Sequence, residues 1–271
     1  MRDIFKNSNY FNRFIQENYK SIDYLSNELR IGNVKKDRIA WVIQRKFSCY
    51  VQIIYAKYSM GEPIGDLAQD YQKALDFMYQ SWMVLEQKAY KKGILYNHYY
   101  NGEYQDMLIM LSLGIMLHQP KETFITLAEI IDKDEVKDML FEFILSSQIE
   151  RTPLMEESYT IIQYIPKDYK SLREAAQEKD KTKAAKLVDK YFTKDWIKQV
   201  KKESGSFNPS TDIGYCGYWN FYVAAISYLL DIDVSNFEDN QYFPKDMYYY
   251  AIRNKNSKPV LLHLASPSYR L

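Results

Sequence analysis

The chain has 271 residues, 46% of them hydrophobic, with nine glycines, eight prolines and no long polar tract; it has material for a real core and is not a disordered polymer. Thirty-six basic side chains face 35 acidic ones, for a formal charge of +1. That balance excludes a globally electropositive nucleic-acid binder and a globally acidic DNA mimic, and leaves electrostatic recognition to local patches.

In chain order, helical periodicity dominates. Phe11, Phe14, Ile15, Ile22, Leu25 and Leu29 recur at spacings suited to one helix face, and Gly32-Asn33 ends that segment. A second segment opens near Lys35, carries Ile39, Val42, Ile43, Phe47, Tyr50, Val51, Ile54 and Tyr58, and stops at Gly61-Glu-Pro63. A third places Ile64, Leu67, Tyr71, Leu75, Met78, Trp82 and Leu85 on one face. Their opposite faces are polar, the pattern of amphipathic helices around a shared core. Residues 107–117 are apolar on every side, which predicts a central helix buried by the others. Phe124, Leu127 and Ile131, then Val136, Leu140, Phe143 and Ile144, predict two further short helices. No stretch alternates with period two for long, and residues 154–165 are the best strand candidate. The expected class is all-α, with an N-terminal helix bundle over 1–148 and a C-terminal helical domain over 149–271, divided in the segment 148–166 that Pro153 and Pro166 bracket.

Beyond that boundary charge is segregated. Residues 170–202 hold eleven basic and five acidic side chains, a local +6, whereas 203–247 hold seven acids against Lys245. The basic run reads as the solvated face of helices whose other side carries Leu172, Ala175, Leu187, Val188, Tyr191 and Trp196. A second reading makes it the surface of a helical nucleic-acid-binding or regulatory module.

Gly214-Tyr-Cys-Gly-Tyr-Trp-Asn-Phe-Tyr-Val-Ala-Ala-Ile-Ser-Tyr-Leu-Leu reads as one buried helix entered through two glycines, with Asp212 placed to cap its N-terminus. Its exit, Asp231-Ile-Asp-Val-Ser-Asn-Phe-Glu-Asp-Asn, offers several carboxylates. Asp231, Asp233 and Ser235 match the first positions of a calcium loop. Such a loop needs Gly where Asn236 stands and Glu where Tyr242 stands, so a helix stop explains the residues better. Pro244 then falls near the start of the next helix.

These residues resemble the C-terminal domain of the PoNi-like immunity proteins. The resemblance rests on Gly217, Tyr218, Trp219 and Phe221, the small and aliphatic run Ala224, Ala225 and Ile226, the turn Ile232-Asp233, then Ser235, Phe237, Asp239, Tyr242, Phe243, Pro244 and Asp246, in ungapped spacing over about thirty residues. One position departs: the family usually has Glu after the Phe, and this chain has Tyr222. Either that position contacts the partner, and specificity differs here, or it is structural and the core is built around a phenol.

The resemblance implies an immunity protein that inhibits a PoNe-type DNase toxin by occluding its active site. A phosphate-binding cleft should be basic, so the acidic exit turn with flanking tyrosines is the expected docking surface. The expected contact residues are Asp212, Tyr215, Asp231, Asp233, Glu238, Asp239 and Tyr242. The expected partner is thus a cognate nuclease toxin, with no direct nucleic-acid contact, no membrane and no cofactor.

Enzyme chemistry is not expected. His98, His118 and His263 are scattered, Cys49 and Cys216 lie apart within apolar patterns, and Glu156-Glu157 is a non-specific acidic pair. The chain has no zinc spacing, P-loop, dinucleotide-binding glycine run or nucleophile elbow. The two cysteines read as reduced thiols, and the first residues lack a signal-peptide apolar run, so the cytoplasm is the expected location. The 26 tyrosines suit either core filling or a contact surface.

Overall fold

The computed structural model describes residues 1–91, 93–151, 167–204, 208–209 and 214–255. The strand candidate at 154–165, Glu156, Glu157, Asp212, His263 and most of the boundary segment lie outside them. The described chain is mainly helical, and no helix among the described residues is long and apolar enough to cross a membrane.

Helices α1 (Ser8–Arg30), α2 (Ile39–Met60) and α3 (Leu67–Trp82) form the first layer, α2 packing against both neighbours. Asn7 caps α1 by accepting from the Tyr10 N–H at 3.0 Å. Gly61 ends α2 in the left-handed region, φ 95°. Helix α4 (Asn101–Met116) is the hub: residues Met107, Leu108, Met110, Leu111, Leu113 and Met116 are wholly buried. Two short helices, α5 (Lys121–Lys133) and α6 (Met139–Ser146), complete the N-terminal part, and the Asp138 carboxylate caps α6 through the N–H groups of Leu140 and Phe141.

Between α3 and α4 the chain forms a hairpin that the helical reading of the sequence missed: β1 (Lys88–Lys91) antiparallel to β2 (Ile94–Tyr99), with Tyr90 opposite Leu95 and an irregularity between Lys88 and Tyr90. Gly93 turns the corner at φ 80°. The Tyr100 hydroxyl accepts from the Tyr90 N–H and the Lys137 N–H donates to the Asn97 carbonyl, so groups that could template another strand are partnered within the chain.

The C-terminal part comprises α7 (Lys170–Gln177), α8 (Lys181–Lys190), a π-helical turn (Tyr191–Asp195), α9 (Trp196–Ser204), α10 (Phe221–Leu230) and α11 (Lys245–Arg253). Helices α10 and α11 pack on α4, so one hydrophobic core runs through both halves. Buried tyrosines dominate it: Tyr58, Tyr71, Tyr99, Tyr104, Tyr169, Tyr191 and Tyr222 are at most 1% exposed. Of the two uses open to tyrosine, these serve the core.

The first residues strap the two halves together. The N–H groups of Arg2 and Asp3 donate to the Ser59 carbonyl at 2.9 and 3.0 Å, and the Arg2 guanidinium reaches Asp246 on α11 at 2.7 Å.

One group in this core works against it at high pH. Asp106 on α4 is half-buried; burial first, and then the charge of Glu103, push its carboxyl up to about 7. A folded pKa above the unfolded one holds stability that is complete below the ordinary carboxylate range and is lost as pH rises through 7. Asp106→Asn should therefore gain about 2 kcal/mol on the native chain between pH 5 and pH 8, as calorimetry at the two pH values would show. Equal gains at both pH values would locate the effect elsewhere.

Candidate functional site

The structure corrects the reading of the Gly-Tyr-Trp segment. Helix α10 begins at Phe221, and its cap is Asn220, whose side chain accepts from the Val223 N–H at 2.9 Å, not Asp212. Residues 214–220 form a non-helical lead-in, because Gly217 adopts φ 119°, a conformation closed to residues with a Cβ. There the backbone lies against Ser59 of α2. The Trp219 Nε1–H donates to Ser59 Oγ at 2.8 Å, and Ser59 Oγ donates to the Cys216 carbonyl at 2.8 Å. Ser59 is fully buried, so Ser59→Ala leaves a donor and an acceptor without partners. A loss of about 2 kcal/mol in urea unfolding is expected; a loss below about 0.5 kcal/mol would mean that the relay is not structural.

The lead-in also places Tyr215, one of the expected contact residues. It is 1% exposed, shares a small cluster with Phe11, Ile15, Ile22 and Ile53, and its hydroxyl donates to Asp3. Burial and that carboxylate raise its pKa. Tyr242, another expected contact, is 9% exposed and packs edge-on against Trp196 at 5.5 Å. Neither ring is offered to a partner in this conformation; both belong to the scaffold. Asp212 lies outside the described residues.

The four remaining carboxylates are on the turn that leaves α10. Asp231 stops that helix in the left-handed region, φ 51°, with its N–H donating to the Tyr228 carbonyl at 3.2 Å. The turn then alternates. Ile232, Val234 and Phe237 point inward, while Asp231, Asp233 and Asp239 are exposed and Glu238 is half-buried. Phe237 packs edge-on against Phe192 at 5.9 Å and Phe243 at 5.4 Å, so an aromatic floor holds the carboxylates outward.

Each acid has a partner within the chain. Lys181, at the start of α8, pairs with Asp231 at 2.6 Å and lowers its pKa. The backbone N–H and hydroxyl of Ser235, both at 2.9 Å, hold down that of Asp233. Glu238 accepts from the Tyr249 hydroxyl and from Lys245, which lower its pKa, and Lys245 also reaches Asp239 at 2.6 Å. Asp231, Asp233 and Glu238 therefore stay ionised well below neutral pH. No group of three or more His, Cys, Asp or Glu side chains among the described residues is arranged to hold a metal ion. A turn that reads as the start of a calcium loop is instead a helix stop followed by an Asx turn. Lys181, Lys245 and Tyr249 are site residues that sequence reasoning missed; Lys181 lies fifty positions from the acid it meets.

Tyr222 resolves to the structural alternative. It is 1% exposed, and its hydroxyl lies 3.4 Å from that of Tyr191, which in turn lies 3.2 Å from Gln199 Oε1; Gln199 donates to the Tyr169 hydroxyl at 2.8 Å. A satisfied phenol network fills this part of the core.

Family models described as PoNe immunity protein (PoNi), N-terminal and C-terminal, match residues 2–129 and 136–247. The chain belongs to the PoNe immunity protein family. Comparison with curated proteins gives no match. Among solved structures, this PoNi-family chain is similar to protein PA2201 from Pseudomonas aeruginosa, at 16% identity and a TM-score of 0.66 over 94% of this chain and 91% of that one. At such identity the likeness speaks for the fold alone. For a PoNi-family chain the site to explain is a binding surface for a toxin, and the outward-held acidic turn has the geometry of a surface rather than of a catalytic cleft.

Proposed function

We propose that this chain acts by binding alone: in the cytoplasm it captures a cognate DNase toxin and neutralises it by covering the toxin's active-site cleft. The contact residues are Asp231, Asp233, Glu238 and Asp239 of the acidic turn, together with Asp212. Tyr215 and Tyr242 contribute from beneath, holding the lead-in and the turn in place. The observation that carries this reading, beside family membership, is the arrangement of the turn: Asp231, Asp233 and Asp239 exposed and Glu238 half-buried beside them, on a floor of buried aromatic residues. A cleft built to hold DNA phosphates presents cations, and a fixed acidic surface meets them without reorganising. Complementary charge speeds encounter, which a cell needs if the toxin is to be stopped before it cuts the genome.

The test is co-expression with candidate PoNe-type nuclease toxins, together with hydrogen exchange on the purified complex. Growth should be restored, plasmid cleavage should stop at equimolar inhibitor, and the toxin's active-site amides should gain protection. Growth arrest in the presence of soluble, folded chain would remove the immunity reading. Protection confined to a surface away from the cleft would remove occlusion.

A further inference from the structure

The basic run is more ordered than its composition reveals. Helix α8, the π-helical turn and α9 form one continuous helical stretch. On it Lys183, Lys186, Lys190, Lys194, Lys198 and Lys201 recur at steps of three and four residues, which keeps them on one side over about 27 Å. All six are exposed. The opposite side, with Ala184, Val188, Phe192, Trp196 and Gln199, is buried in the core. None of the six has an ion-pair partner among the described residues, whereas Lys181 and Lys170 do. Asp189 and Asp195 on this stretch are half-buried and lie off the stripe; Asp195 accepts from the Ser171 hydroxyl at 3.0 Å. Six cations in a row, without an ion pair among the described residues, are costly in self-repulsion and add nothing to the core.

We propose that this stripe is a docking surface for the phosphate backbone of duplex DNA, separate from the acidic turn. Successive lysines rise about 4.5 to 6 Å along the helix, a row that can follow a phosphate strand, and phosphate contact of this kind is independent of sequence. One observation argues against both a lipid surface and single strands. No large apolar side chain on the stretch 181–204 is exposed among the described residues, whereas a helix that lies in a lipid surface needs an apolar face there. For the same reason the stripe offers no aromatic platform for unpaired bases, which argues against single strands. The near-neutral chain that excluded a global nucleic-acid binder does not exclude this one, because the positive charge is confined to one helix face. The proposal does not depend on the toxin reading. If both hold, the inhibitor waits on the substrate that its toxin must reach.

Fluorescence anisotropy with a labelled 30-base-pair duplex tests it. With about five phosphates contacted, the log–log salt slope should be near −4.5, so affinity should fall roughly 500-fold between 50 and 200 mM NaCl. Reversal of Lys186, Lys190, Lys194 and Lys198 to Glu should abolish binding, and the milder set of four Lys→Gln changes should weaken it at least tenfold, with circular dichroism confirming both folds. A second duplex of unrelated sequence should bind equally. Absence of binding at low salt, binding unchanged by either variant, a tenfold preference for duplex RNA, or a preference for phosphatidylglycerol vesicles would each overturn the assignment. Toxin affinity measured without DNA should not change in the lysine variants, and DNA affinity should not fall when the acidic turn is altered. Failure of one reading therefore leaves the other standing on its own data; toxin affinity lost with the lysines, in a chain that binds no DNA, would make the stripe a toxin contact instead.

Discussion

Gly217→Ala is expected to cost at least about 4 kcal/mol, enough to leave much of the chain unfolded. The backbone there has φ 119°, and an added Cβ would stand 2.3 Å from Ser59 Oγ and 2.4 Å from Trp219 Nε1. Neither atom can yield, since they are hydrogen-bonded to each other and buried between α2 and α10. Backbone strain of about 1–3 kcal/mol, overpacking of similar size and the loss of the Trp219–Ser59–Cys216 relay act together. Urea unfolding followed by circular dichroism measures the effect. A variant within 1 kcal/mol of the native chain would show that the lead-in rearranges freely and that its geometry is not what makes a glycine necessary.

Charge reversal of Asp231, Asp233, Glu238 and Asp239 to Lys is expected to slow association with the toxin by about a hundredfold at low salt, with the difference shrinking as salt is raised. Reversal also sets new cations beside Lys181 and Lys245, so the neutral set Asp→Asn and Glu→Gln is the cleaner companion. Asn tolerates the left-handed stop at 231 and can retain the turn at 233. The neutral set should keep the native melting temperature within a few degrees and still slow association by about tenfold. Stopped-flow association rates across a salt series would show it. Rates and affinity equal to the native chain's would place the toxin contact on another face.

The amphipathic helices were legible because periodicity reports burial directly: the Phe11–Leu29 pattern became α1, and the apolar run 107–117 lies almost wholly in the buried hub α4. The hairpin at 88–99 was not legible. Its strands are short, and Gly93 is a single glycine among lysines and tyrosines. The lead-in at 214–220 was misread because its aromatic residues continue the helical spacing of α10, while a positive φ at Gly217 leaves no mark on hydrophobic pattern. Asn220 was the available signal, a strong capping residue just ahead of an aliphatic run.

For the site, the exposed acids were legible as charge ahead of a helix start. The depth of Tyr215 and Tyr242 was not, because a phenol suits a core as well as a rim and only tertiary packing decides. Lys181 and Lys245 escaped for another reason: ion pairs across fifty positions, or across a turn, have no sequence spacing to betray them.

The strap at the first residues has a kinetic consequence. Arg2 binds Asp246, 244 positions away, and Asp3 meets Tyr215, 212 positions away. During synthesis their docking sites on the lead-in and on α11 are made more than two hundred positions after them. The helical layers of the N-terminal part can assemble early from local contacts, but closing the strap must wait until the lead-in and α11 have been made. Arg2 and Asp3 are thus synthesised long before the residues that hold them, and completion of α11, rather than assembly of the early helices, sets when the strap can close.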